Sequence, residues 1–373
     1  MDTSFRSFYT TFMLPQNRAK RKGYGKTFKR FQKFFQLLWL FGAALCIMSA
    51  EIHLWEETNM KYGFGIDLGG TTVKIAYFDE EGTLLDKWEI PTVTADGGSA
   101  ILPDIAASVN SYLESKQIRK DQIIGIGIGV PGPVDKEGTV NKCVNLGWGV
   151  INIPKILGGL TGLAVTAGND ANVAALGEAW KGGGQGCNDM VFATLGTGVG
   201  GGIVIGGEVV HGVHGAGGEI GHITLNRYET DTCGCGKRGC AEQYCSATGI
   251  VRIAQQFLST SDADSKLRTI NPLTCKDVFD AAKEGDYLAN EALEKVFQYM
   301  GQFLAMICCT VDPEVVVLGG GVSKAGQPLI DGAKRYFDQY IFHASRGIRF
   351  ALASLGNDAG AYGAFKLALN AAK

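Results

Sequence analysis

Two stretches of this chain follow one plan. Residues 62–78 read as an apolar strand, a turn through Gly69, Gly70, Thr71 and Thr72, and a second strand that begins near Lys74. Residues 190–205 repeat it, with Leu195 running into Gly196-Thr197-Gly198-Val199-Gly200-Gly201-Gly202 before the next apolar run. A third apolar run, 314–318, ends in Gly319-Gly320-Gly321. Glycines in such turns let backbone N–H groups point at phosphate oxygens, and threonine hydroxyls add donors. One turn alone reads equally well as a plain hairpin. Three of them after buried strands would surround a nucleotide, so Asp67, Gly69, Gly70, Thr71, Thr72, Lys74, Gly196, Thr197, Gly198, Gly200, Gly319 and Gly320 are the candidate phosphate-binding residues. Asp67 leaves its strand beside the first loop, where a carboxylate can hold hydrated Mg²⁺. The GxxxxGK[ST] spacing of a Walker loop is absent.

Glycine is the compositional outlier, 53 of 373 residues against an ordinary ~7%. Its clusters follow apolar segments, which reads as loops approaching a ligand rather than as a linker. The order of elements alternates. Strands are expected over 62–67, 74–78 and 84–91, a helix over 101–115, and a buried strand over 123–130 that is stopped by Pro131-Gly132-Pro133. A short strand over 164–167 precedes a helix over 171–181. Strands follow at 190–195 and 202–205. From Cys240 to Thr310 the chain is mostly helical, then comes a strand at 314–318 and a last helix at 361–371. This predicts an α/β protein of two lobes, each a mixed sheet flanked by helices, with a cleft between them.

Gly168-Asn169-Asp170-Ala171-Asn172 joins a strand to a helix. Asn and Asp are favoured helix caps, so Asp170 has a structural reading. It has a chemical one too, as a general base that takes the proton of an attacking hydroxyl; phosphoryl transfer needs little more than positioning, charge stabilisation and such a carboxylate. The two are compatible, because a helix N-terminus favours a negative charge.

Ten cysteines would allow disulfides, but Cys233, Cys235 and Cys240 stand together behind Glu219-Ile220-Gly221-His222. His222 with these three thiols completes a tetrahedral Cys₃His set, which points to a structural Zn²⁺ and a reducing compartment. Glu219 and Glu242 flank it, either as solvated charges or as acceptors for ligand hydroxyls.

Taken together, the DxGGT loop, the Asn169-Asp170 pair, the second glycine loop, the ExGH element, CxCGxxGCxE and LGGG resemble the ROK family of bacterial sugar kinases and repressors, within the actin/hexokinase/Hsp70 superfamily. The resemblance runs from Met60 to the C-terminus. Its YGFGIDLGGTTVK and CGCGKRGCAEQYCSATG runs are most similar to family glucokinases of Gram-positive type. It implies an actin-like (ribonuclease H-like) fold with ATP and sugar in the cleft. Asp170 would be the catalytic base, and Asn169, Asp170, Glu219, His222 and Glu242 would line the sugar site. ATP with Mg²⁺ and a structural Zn²⁺ would be bound, glucose or a related hexose (fructose, mannose, an N-acetylhexosamine) would be the substrate, and the chain would pair as a homodimer. Family repressors carry an N-terminal helix-turn-helix, which makes a sugar-responsive regulator the alternative. The expected lobes are 60–170, with a C-terminal helix 360–373 packing back on it, and 171–359, containing the knuckle 222–240.

Residues 1–59 are foreign to this pattern. Arg18, Lys20, Arg21, Lys22, Lys26, Lys29, Arg30 and Lys33 precede an apolar run over 34–48. That order suits a secretory signal and is short for a membrane span. A DNA-binding appendage lacks the expected pair of amphipathic helices. The expectation is that the working protein begins at Met60, in the cytoplasm where ATP is available. The net charge of −2 gives no general attraction to nucleic acid or membrane.

Overall fold

The computed structural model describes residues 60–373, so the expectations for 1–59 lie outside the described residues. The first five-stranded sheet is built from β1 (Tyr62–Leu68), β2 (Thr72–Asp79), β3 (Leu84–Pro91), β4 (Ile123–Val130) and β5 (Val165–Asn169), in the order β3-β2-β1-β4-β5. Neighbours β1/β2 and β2/β3 are antiparallel, while β1/β4 and β4/β5 are parallel. Helices α1 (Ile101–Ser115) and α2 (Ile153–Thr161) are the crossovers, and α3 (Asp170–Lys181) leaves the last strand.

The second sheet repeats this order and sense. Its strands are β6 (Met190–Leu195), β7 (Val199–Ile205), β8 (Glu208–Val209), β9 (Val315–Gly319) and β10 (Arg349–Leu352), arranged β8-β7-β6-β9-β10. Again the first three are antiparallel and the last two parallel to the centre. Helices α4 (Ala247–Thr260), α5 (Cys275–Lys283) and α6 (Tyr287–Val311) fill the crossover before β9, and α7 (Gln327–Tyr340) the one before β10. Finally α8 (Ala359–Ala371) returns to the first sheet. A parallel neighbour requires such a crossover, whereas antiparallel neighbours need only the tight glycine turns. Among the described residues no helix is long and apolar enough to cross a membrane.

The glycines inside β1 and β4 have a purpose other than ligand approach. Gly63 stands opposite Gly125 and Gly65 opposite Gly127, all at the two-residue period of one sheet face. A Cβ on Gly65 would stand 2.0 Å from the Ala361 carbonyl oxygen, and one on Gly127 only 1.6 Å from that of Ala364. Gly63, Gly65 and Gly127 form a bare groove in which α8 lies. On the other face Phe64, Ile66, Ile126 and Ile128 are fully buried against α1 and α2. The alternation YGFGI and IGIGI thus encodes a helix on one side and a hydrophobic core on the other.

Candidate active site

The strand-to-helix junction at β5 separates the two readings of the Asn-Asp pair. Asn169 is the helix cap, its side chain accepting from the Asn172 N–H at 3.1 Å and donating to the Gly132 carbonyl at 3.1 Å. Asp170 is therefore free of the capping role; its Oδ1 accepts from the adjacent Ala171 N–H, at 2.8 Å. Burial pushes the Asp170 carboxyl above its ordinary 3.8. The Ala171 N–H opposes that rise, and the Asp67 and Glu219 carboxylates add to it. Two carboxylates thus act on Asp170 at the start of α3, Asp67 from β1 and Glu219 from the loop after β8.

Asp67 lies opposite Lys74 in the β1–β2 register, and Lys74 Nζ stands 3.6 Å from Asp67 Oδ2. Burial raises Asp67 too, with Lys74 opposing. The first loop closes through a Gly69 N–H bond to the Thr72 carbonyl, and the Thr92 hydroxyl bonds the Gly69 carbonyl at 2.7 Å. Gly70 and Thr71 are left exposed at its tip.

The second loop is shorter than its glycine run. Only Gly196, Thr197 and Gly198 form the turn; Gly200 stands in β7 opposite Thr194 and packs on Ala171, and Gly202 packs on Ala175 of α3. Gly320, in the left-handed region with φ +80°, fits against the Leu195 backbone, so the third glycine loop adjoins the second. At Gly70, Gly196 and Gly321 no atom of the described residues lies within 4 Å of where a Cβ would stand. Their bareness serves no internal packing.

The cysteine cluster assembles as its spacing implies. The ligand atoms of His222, Cys233, Cys235 and Cys240 all lie within 4.8 Å of one another. Cys235 Sγ is 3.6 Å from Cys240 Sγ, and Cys233 Sγ is 3.8 Å from His222 Nδ1. With Zn–S bonds of about 2.3 Å, tetrahedral ligands stand about 3.8 Å apart, so this donor set fits zinc. The other ring nitrogen, Nε2 of His222, faces Glu219 Oε2 at 3.9 Å, which is the arrangement of a carboxylate behind a metal-binding histidine. The segment leading into the knuckle is pinned by Glu229. Burial alone would raise that carboxyl, but bonds from Arg252 and Tyr244 outweigh it and hold Glu229 at about 2.

Glu242, expected beside the sugar, also makes two contacts within the protein. Its Oε2 accepts the Val199 N–H at 3.0 Å, and its Oε1 is 3.6 Å from Cys233 Sγ. A Cβ on Gly198 would stand 2.2 Å from Oε2. Glu242 thus bridges the cysteine knuckle to the second glycine loop. Sequence reasoning missed Asn172, whose side chain holds the Gly217 carbonyl at 3.0 Å, and Gly360, whose lack of a side chain admits the Asp67 carboxyl. Only the Asn in the GNDAN run hinted at the first.

The ROK family profile matches residues 63–371. A glucokinase of Halalkalibacterium halodurans is 44% identical over 305 residues, covering 80% of this chain and 92% of that protein. Among solved structures, a ROK family glucokinase from Streptomyces griseus in complex with glucose and AMPPNP is 32% identical with a TM-score of 0.64, covering 83% of this chain and 98% of the other. A ROK hexokinase from Thermus thermophilus is 33% identical with a TM-score of 0.67, covering 81% and 96%. The duplicated sheets, the paired carboxylates and the cysteine knuckle are thus found in a chain that belongs to the ROK family.

Proposed function

We propose that this chain is an ATP-dependent glucokinase, transferring the γ-phosphoryl of ATP to the 6-hydroxyl of glucose with Asp170 as general base. The observation that supports it most is the half-buried Asp170 carboxylate, freed from capping by Asn169 and set among Asp67, Glu219 and the glycine loops, in a chain 44% identical to a glucokinase. In this reading the hydroxyl's proton passes to Asp170 as its oxygen attacks phosphorus, and ADP departs. The carboxyl's raised affinity for protons suits it to accept one. Asn169, Asp170, Glu219, His222 and Glu242 bind the sugar, and Glu242 also fixes the second glycine loop beside it. N–H groups at Gly69, Gly70, Gly196, Gly198, Gly319 and Gly320, with the Thr71, Thr72 and Thr197 hydroxyls and Lys74, take the phosphates. Asp67 would hold Mg²⁺, which neutralises charge on the transferred group. His222, Cys233, Cys235 and Cys240 would hold Zn²⁺ as a structural ion. A cytoplasmic homodimer completes the reading, since ATP and reduced thiols are found together there.

The test is kcat/KM by ADP release over glucose, mannose, fructose and N-acetylglucosamine. Glucose should give the highest value. A higher value for another sugar would replace glucose as substrate, because hexoses differ by single groups that a few side chains discriminate. No ADP release with any sugar, together with DNA retardation in a gel, would make the chain a regulator.

A further inference from the structure

Glu178, on the last turns of α3, is fully buried and no cation pairs with it among the described residues. Its carboxylate accepts backbone bonds alone. Oε2 takes the Gly183 N–H at 2.8 Å and the Ser354 N–H at 3.0 Å, and Oε1 takes the Leu355 N–H at 2.9 Å. A carboxylate is acceptor-only and matches such a set of donors, whereas a glutamine amide would turn an NH₂ against one of them. The surrounding glycines are shaped to it: a Cβ on Gly182 would stand 2.0 Å from Oε2, and one on Gly183 would stand 2.3 Å from the Leu352 carbonyl oxygen.

Position gives this bond set its meaning. The chain passes between the two sheets twice, once through α3 and the turn at 182–184, and once through the segment 353–355 that enters α8. Glu178 joins those two passages. Eight residues back along α3, about 12 Å at 1.5 Å per residue, is Asp170. Five residues on from Leu355 is Gly360, where a Cβ would lie 2.7 Å from the Asp67 carboxyl carbon. The two helices also meet backbone to backbone, with Gly363 facing the Val173 carbonyl oxygen and Gly177 facing that of Ala359. α3 on one side, and the short turn 356–358 with the first residues of α8 on the other, therefore link the Glu178 bonds to the two site carboxylates.

We propose that Glu178 is a positioning residue: by clasping both inter-lobe passages it sets the spacing between Asp67 on β1 and Asp170 at the start of α3. The consequence for catalysis rests on the glucokinase reading; the clasp itself does not. Reactions of this kind are sensitive to placement, with a 1 Å error costing up to ~10²-fold.

The test uses the full chain with Glu178→Gln. For the folded variant, kcat should fall by ~10-fold or more while the glucose KM stays within ~3-fold, and half-maximal activity should need more Mg²⁺. A variant that only melts earlier, with unchanged kcat and Mg²⁺ dependence, would show a structural role and overturn the proposal. Hydrogen exchange on the wild-type protein judges the clasp without any substitution. The Gly183, Ser354 and Leu355 amides should exchange only at the rate of global opening, with and without glucose. Fast exchange in either state sinks the proposal even if Glu178→Gln does not fold. Absent wild-type turnover on glucose would instead count against the glucokinase reading, leaving exchange to decide the clasp.

Discussion

At the scale of single residues, Asp170 shows how activity and stability pull apart. Burial raises its carboxyl above 3.8, the Ala171 N–H offsets part of this, and Asp67 and Glu219 restore it. Between the unfolded value and the higher folded one, the native state binds the extra proton. Stability therefore falls as pH rises through that window and does not recover at neutral pH. A general base must be ionised, so the acid limb of kcat should lie above the ordinary aspartate range, and Glu219→Gln should move it downward by removing a like charge. Asp170→Asn keeps an oxygen for the Ala171 N–H but carries no charge. It should lower kcat by ~10²–10⁴-fold and raise Tm at pH 7. Steady-state kinetics and calorimetry on one preparation check both, and near-normal turnover would remove Asp170 from the chemistry. The sequence left its cap and base readings open because both side-chain types cap helices; only the Asn169 bond to Asn172 assigns the cap.

At the scale of elements, the cysteine knuckle and the second glycine loop form one unit through Glu242, which touches Val199 N–H on one side and Cys233 on the other. Metal loss should then disturb both ligands. Cys233→Ser, Cys235→Ser and Cys240→Ser should each lose zinc and raise KM for glucose and for ATP together. Elemental analysis beside two-substrate kinetics measures this, and full activity with well under one zinc per chain would refute it. The knuckle was legible because C-x-C-x4-C with an upstream His has few other uses, and α1, β3, β4 and β6 were legible to the residue because clean periodicity ends in clear stops. Other elements were harder. α7 carries Leu329, Ile330, Ala333 and Phe337 inward, but Gly332 breaks the run, and only its closeness to the Phe297 ring explains it. β10 is four residues at a sheet edge, Arg349 exposed and the other three half-exposed, too short to show a period. The glycine run 196–202 hid the start of β7, because glycines that admit α3 look in sequence like those of a loop.

At the scale of the molecule, the sheets' common order was visible only as two similar strand–turn–strand units, since the helices between β8 and β9 bear no likeness to α1. Among the described residues, the N-terminal end of β1 is held by bonds of Lys61. The Lys61 carbonyl accepts the Glu80 N–H, and Lys61 Nζ bonds the Asp121 carbonyl at 2.7 Å, so the chain is fastened one residue before β1 begins. Every carboxylate, glycine loop and metal ligand named above lies at Asp67 or later. The family match opens at residue 63, and the H. halodurans glucokinase is matched over 92% of its own length by 80% of this chain. A protein starting at Met60 should therefore keep kcat, both KM values and Tm of the full chain, because truncation tolerance follows the bonding and burial of the backbone at the cut. Parallel kinetics and thermal melts of the two proteins measure it. A several-fold loss of kcat or a fall of several degrees in Tm would mean that residues 1–59 contribute to the working enzyme, and a peptide from that segment in active protein from its native cell would show that the segment is retained.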